Sequence, residues 1–428
     1  PIATLDAAVK SKKSYGLEIA KYIYFKGLVE DFSSNRRVIA QENRDYARLV
    51  GAESTVLLKN TNQILPLKKS GTIAAIGPLA KASNNMAGTW SVSTDHESCI
   101  SVWDGLQQTV GDDVNLLYAK GSNVDYDLKL EKRATMFGKT IPRDDRTDQQ
   151  MIDEAVAIAK KSDVILATLG ESSEFSGESS SRTDIGIPQV QKDLLKALLK
   201  TGKPLVLVLF TGRPLTLVEE NENVPSILNV WFPGSEAGLS ISDVLFGDIN
   251  PSGKLTATFP RNVGQVPLFY NHKNTGRPLG NSEGHFEKFK SNYIDARNEP
   301  LYPFGFGLSY TTFKYGEIKL DKTSMSSKDT VTVSVDITNT GDYDGKEVAQ
   351  LYVRDVVGSV TRPVKELKGF EKIFLKKGET KTVTFNISVE DLKFYNTNLD
   401  FVAEPGDFQV AIGTNSNVAF KNTITLLD

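Results

Sequence analysis

The sequence predicts an α/β domain, a mostly parallel sheet sandwiched by helices, followed by an all-β sandwich. Three observations predict it. Strand-length apolar runs alternate with amphipathic helices up to about residue 210, strict period-two alternation begins after about residue 320, and a Gly-, Pro- and Asn-rich stretch separates them. A chain of 428 residues has room for two or three such domains.

In chain order, Ser14 to Gly27 reads as an apolar helix, Asp31 to Arg37 as a polar connector, and Gln41 to Ser54 as a second helix leading into Val56-Leu57-Leu58. Residues 1–46 hold no domain's worth of core and read as the tail of something larger. Thr72 to Gly77 is a short apolar run ending in Gly. A helix over Asp148 to Lys161 precedes the strand Val164 to Leu169. The helix Pro188 to Lys200 sets Val190, Leu194, Leu195, Leu198 and Leu199 on one face, and the strand Pro204 to Phe210 follows. Strands apolar at nearly every position are buried on both faces, which is the condition of a parallel sheet covered by helices. Ligands bind at the carboxyl ends of such strands, so Gly170 to Pro188 and Thr211 to Pro214 are the candidate loops.

Residues 47–270 are thus assigned to the α/β domain and 271–306 to a linker. Residues 307–428 are assigned to an immunoglobulin-like part, a β-sandwich of roughly 110 residues. In that last part Val331, Val333, Val335 and Ile337 alternate with polar residues, as do Ala349, Leu351 and Val353, then Val383, Phe385 and Ile387, then Phe408, Val410 and Ile412. Turn clusters at Asn339 to Asp342, Lys376 to Gly378 and Pro405 to Asp407 separate them.

Charge and composition exclude several functions. Fifty Lys and Arg against 53 Asp and Glu leave no basic field for nucleic acid. One cysteine, Cys99, permits no intramolecular disulfide and reads as a small buried apolar side chain. Three scattered histidines, His96, His272 and His285, offer no zinc spacing; no metal and no cofactor are expected. No run approaches the roughly 20 apolar residues of a membrane span. Pro1 shows no export signal, so the sequence is expected to begin after processing or within a longer protein.

Four segments together resemble glycoside hydrolase family 3, and within it the bacterial periplasmic-type β-glucosidases with a fibronectin-III-like tail. They are Glu53 to Asn60 with Leu65-Pro66-Leu67; Ser176-Gly177-Glu178 through Arg182-Thr183-Asp184 to Ile187-Pro188; Trp231 to Gly234 with Gly247 to Leu255 and Phe259-Pro260; and Tyr302 to Phe313. Asn274 to Pro278 fits the same family. The resemblance implies a (β/α)8 barrel, an α/β sandwich and a fibronectin-like domain, of which this chain carries the last two. The catalytic Asp nucleophile and most sugar-gripping residues would lie in the barrel.

Retaining glycosidases use two carboxyl groups about 5 to 5.5 Å apart, one a nucleophile and one an acid/base. The resemblance places the acid/base on a sandwich-domain loop, at Glu178, with Ser179 and Ser180 standing where the family more commonly has Gly-Tyr. Gly177 and Ser179 to Ser181 suit a mobile loop. Glu174 is the closest rival, Glu171 could bond an Arg or backbone, and Asp184 could pair with Arg182. Trp231 is read as a sugar-stacking or a packing residue, and Arg277 as touching substrate, binding a carboxylate across an interface, or exposed. Trp90 and Trp103 are read as core or rim, with sugar contact the alternative, and the charged stretch 365–381 as solvated strand edges.

The resemblance implies an exo-acting, retaining β-glucosidase acting on β-glucoside oligosaccharides in the periplasm or outside the cell, with its own barrel as partner and a homodimer kept open. A β-xylosidase or other exo-glycosidase is the alternative within the family, and an inert structural or interaction fragment is the alternative when the chain stands alone.

Overall fold

The computed structural model describes residues 28–91, 95–137, 139–278 and 287–428, with side chains from residue 41 onward. The predicted helix Ser14 to Gly27 and His285 lie outside them. The chain divides into two compact units, Pro1–Leu49 and Val50–Asp428. Helix α1 runs through Leu28–Ser54. The stretch Asp31 to Arg37, expected as a connector, is helical.

In the second unit a six-stranded sheet is built from β1 (Val56–Asn60), β2 (Gly71–Ile76), β3 (Val114–Ala119), β4 (Val164–Gly170), β5 (Leu205–Phe210) and β6 (Ser226–Asn229), in the order β1-β6-β5-β4-β2-β3. Only β1 pairs antiparallel. The helices are α2 (Val102–Thr109), α3 (Leu128–Ala134), α4 (Asp148–Lys160), α5 (Gln189–Leu199), α6 (Val218–Asn223) and α7 (Ala237–Phe246). Alternate strand residues feed two cores. Leu57, Ile73, Leu166, Val206 and Leu228 enter one, with α2 and α7; Ile76, Ile165, Leu169, Leu207 and Ile227 enter the other, with α4 and α5. The apolar runs are continuous because each strand is covered on both sides.

The strand order reverses at β2. The chain leaves β2 for β3 on one side and later returns to β4 on the other. Two loops therefore diverge above the sheet at the carboxyl ends of β2 and β4, and such a crevice is where open α/β sheets hold ligands.

Among its described residues the predicted linker 271–306 holds no helix or strand, only isolated bridges. Its last residues fold back on the α/β core: Phe259 bridges Tyr302, Leu255 N–H donates to Phe306 O at 2.8 Å, and Tyr302 is buried. Apolar Leu301, Tyr302 and Phe306 bury themselves there, which the Gly, Pro and Asn around them obscured.

Beyond it lies a sandwich. One sheet contains β7 (Phe313–Tyr315), β8 (Lys319–Leu320), β10 (Thr330–Asn339) and β13 (Thr380–Ser388). The other contains β9 (Ser324–Met325), β11 (Gly345–Asp355), β12 (Glu366–Leu375), β16 (Gly406–Gly413) and β17 (Asn422–Leu426), and β14 (Phe394–Tyr395) and β15 (Phe401–Val402) pair separately. Val331, Val333, Val335 and Ile337 face Leu351, Val353, Val410 and Ile412 in its core. The sandwich is tied to the α/β part by the buried pair Lys254–Glu347 at 3.2 Å, by the Tyr310 hydroxyl donating to Val244 O at 2.6 Å, and by Glu53, which takes Lys346 and Lys372.

Candidate active site

The loop after β4, from Glu171 to Pro188, carries three glutamates in eight residues, and they have three different environments. Glu171, first beyond the strand, is fully buried. One carboxylate oxygen accepts from Arg182 Nη1 at 2.8 Å and pairs with Arg213 Nε at 3.0 Å; the other accepts from the Thr211 hydroxyl at 2.9 Å and the Gly212 amide at 3.4 Å. It joins the two candidate loops, after β4 and after β5, at their roots, as a support rather than a reagent. Arg182 therefore pairs with Glu171 and not with Asp184, which instead accepts from the Gly186 amide at 2.8 Å.

Glu174 is also buried. It forms an ion pair with Lys139, itself buried, and accepts from the Thr89 hydroxyl at 3.4 Å. Lys139 also donates to Gly88 O at 3.0 Å. This couples the segment between β3 and α4 to the loops after β2 and β4. Glu174 is thus committed to a buried ammonium, and its side chain is only 6% exposed.

Glu178 differs from both. It sits in an exposed turn, and among the described residues its carboxylate has no hydrogen bond or ion pair. Gly177 before it has φ +99°, and Ser179 after it has φ +55°. A side chain on Gly177 would have to approach Thr89 Cγ2 to 2.4 Å, so glycine is required on both counts. Thr89 thereby packs the β2 loop against the turn, and the Ser173 amide donates to Asn85 Oδ1 at 2.7 Å in the same seam. Trp90, next to Thr89, is 72% exposed.

The turn was expected to be mobile; the structure instead ties it down. Arg133 on α3 donates from Nε to Glu174 O at 3.1 Å and from Nη2 to Ser179 O at 3.1 Å and the Ser180 hydroxyl at 2.6 Å. Arg213 donates to Phe175 O and, at 2.7 Å, to Ser180 O. Ser180 is buried in consequence. Sequence reasoning missed Arg133, Lys139 and Thr89. The apolar run ending at Gly77 marked the β2 loop as a strand-end loop, and that signal could have found Thr89; nothing local marks the other two.

A family model described as the glycosyl hydrolase family 3 C-terminal domain matches residues 55–310, more than half of the chain. The chain belongs to glycosyl hydrolase family 3. A fibronectin type III-like domain model matches residues 347–416. The family's "Periplasmic beta-glucosidase" of Salmonella typhimurium is 50% identical over 90% of this chain and 50% of its own length. A "Beta-xylosidase" of Formosa agariphila is 42% identical over 90% and 50%. Among solved structures, the Listeria innocua β-glucosidase in complex with isofagomine superposes with a TM-score of 0.80 at 38% identity, covering 91% of this chain and 50% of that one. The chain thus spans about half the length of the curated relatives it matches.

Trp231 follows β6 with φ +54°, half-buried, its ring edge-on to Phe259 at 6.1 Å, and Phe259 packs on Tyr302 in turn. These contacts pack it against the α/β core. Arg277 is exposed and makes no ion pair among the described residues; its carbonyl accepts from the Ser291 amide at 2.8 Å. Trp103 lines the α2 core with Tyr118 edge-on at 5.6 Å, both rings facing Lys81. Cys99 is buried; the His272 ring lies 3.1 Å from the neighbouring Lys273 carbonyl, and the His272 carbonyl accepts from the Val364 amide at 2.9 Å. Among the described residues no group of three or more His, Cys, Asp or Glu is placed to hold a metal, and no helix is long and apolar enough to cross a membrane.

Proposed function

We propose that this chain is the acid/base-bearing part of a retaining, exo-acting β-glucosidase, with Glu178 as the acid/base. One observation carries the assignment. Of the three glutamates in the loop at the switch point, two are buried and consumed by cations, and only Glu178 presents a free carboxylate on a supported turn. A general acid must be protonated in the working enzyme, which burial or a neighbouring negative charge brings about. The barrel of the same protein supplies both in this reading, closing over Glu178 and setting the aspartate nucleophile about 5 to 5.5 Å from it. Glu178 then protonates the leaving oxygen as the aspartate attacks the anomeric carbon, and in the second step takes a proton from the incoming water.

Terminal, non-reducing β-D-glucosyl residues of short β-glucosides are the substrate class. The β-glucosidase names of the Salmonella and Listeria relatives support it, and the former supports a periplasmic or secreted address. A β-xylosidase is the second reading, favoured by the Formosa relative at 42% identity, because in this reading the barrel chooses the sugar. The decisive experiment assays nitrophenyl β-glucoside and β-xyloside with the isolated chain and with the barrel-bearing protein, following the first-formed anomer by proton NMR. Barrel-dependent turnover, faster on glucoside, with retention is expected. Full activity in the isolated chain contradicts the split site, and inversion contradicts the mechanism.

A further inference from the structure

The Glu178 turn holds a residue in a conformation it does not favour. Ser179, with φ +55°, has a Cβ in the left-handed region, and such a residue persists only where its surroundings over-determine it. The Ser179 carbonyl is one of the acceptors of Arg133, whose remaining donations go to Glu174 O and the Ser180 hydroxyl. Arg213 holds the other side through Phe175 O and Ser180 O.

The two arginines are not equivalent. Arg213 has Glu171 as a counter-charge at 3.0 Å, so the root of the sheet accounts for its place. Arg133 has no carboxylate within ion-pair distance among the described residues, and all three of its hydrogen bonds enter the segment 174–180. Half-burying a guanidinium costs free energy unless its donors are satisfied, and here every side-chain donation described goes to the acid/base turn. A planar fork that spans Glu174 O and Ser179 O fixes the backbone on both sides of Glu178, which a flexible ammonium does less well.

We infer that Arg133 is a positioning residue for Glu178: it holds the strained Ser179 so that the preceding carboxyl points at the reacting bond. The inference rests on the reading of Glu178 as the acid/base. A carboxyl displaced by about 1 Å loses proton-transfer efficiency on the order of a hundredfold, and the loss falls only on substrates that need a proton.

The test compares wild type, Arg133→Met, Arg133→Lys and Glu178→Ala in the barrel-bearing protein. The substrates are cellobiose, whose leaving group is poor, and 2,4-dinitrophenyl β-glucoside, whose leaving group departs unaided. Arg133→Met should lower kcat/KM on cellobiose by about tenfold to a hundredfold while leaving the dinitrophenyl substrate nearly unchanged, and Arg133→Lys should recover part of the loss. A merely structural role lowers both substrates together. Amide hydrogen exchange over residues 176–181 keeps the test usable in the isolated chain, where Arg133→Lys should speed exchange there and leave the strands unaltered. If Glu178→Ala shows no leaving-group dependence, the acid/base reading itself fails. If Glu178→Ala shows it, and Arg133→Met lowers both substrates equally or neither, only the role of Arg133 is overturned.

Discussion

Replacing Glu171 by glutamine removes a charge and almost no volume, so it isolates what the buried carboxylate contributes. The side chain has no solvent exposure and faces two guanidiniums, Arg182 with 14% and Arg213 with 20% of the side chain exposed. The amide of Glu171→Gln can still accept from Thr211 and Gly212, but it leaves both cations without a counter-charge at the root of two loops. Breaking a buried pair by removing one partner costs about 3–5 kcal/mol. The partial exposure of both arginines puts the expected loss at the lower end, about 3 kcal/mol. For a unit of this size, with an unfolding entropy of about 2.1 cal/mol/K per residue, each kcal/mol moves the melting midpoint by about 1–2 °C, so a fall of about 3–6 °C is expected. Urea unfolding followed by far-UV circular dichroism, backed by calorimetry, reads the change. Adding Arg182→Met should return part of the loss, since it deletes one uncompensated cation, and the double-mutant cycle gives the coupling directly. A loss below about 1 kcal/mol would refute the reasoning, because water would then already be screening the group.

Gly177→Ala should cost at least about 1 kcal/mol and depress turnover, from its φ of +99° and the 2.4 Å approach to Thr89; unaltered unfolding and kinetics would show that the turn rearranges freely. Glu347 gives a pH signature. Burial pushes its carboxyl above the ordinary value, with Lys254 and the Tyr315 hydroxyl acting in the opposite direction. A carboxyl raised in the folded state contributes most stability while protonated and loses that contribution as pH rises from the unfolded value through the raised one. Wild type should therefore lose stability relative to Glu347→Gln across that interval; urea midpoints that stay parallel from acidic to neutral pH would contradict it.

The α/β sheet was legible because β4 and β5 are apolar on both faces, as strands covered by helices on each side must be. Strand β3 was not, because its middle residues are half-exposed at the sheet edge and its apolar pattern is broken by exposed Asn115. Strand β6 has only four residues. Helix α7 escaped because nearly all of its residues are buried, so no polar stripe marks a helical period. In the sandwich, period-two alternation made β10, β11, β13 and β16 readable, whereas the charged edge strand β12 read as solvated edge and turn, which is the guise edge strands adopt.

At the site, the sequence put three glutamates into one loop and could rank them only through family resemblance. Burial separates them physically: Glu171 and Glu174 are already paired, and Glu178 is not. The clamp was illegible because Arg133 and Lys139 lie about forty residues upstream of the loop they hold, on a segment with no pattern of its own. Their role comes from where β3 returns the chain, which only the strand order shows.

The central claim, that Glu178 is the acid/base, is tested most directly by azide rescue of Glu178→Ala in the barrel-bearing protein. General acid/base catalysis contributes about a hundredfold to ten-thousandfold, so hydrolysis of cellobiose should fall within that range. Azide should then accelerate turnover of an activated glucoside and yield β-glucosyl azide, because the vacant site admits an anion that needs no base. Turnover of Glu178→Ala equal to wild type, or a loss that azide leaves untouched, would contradict the account.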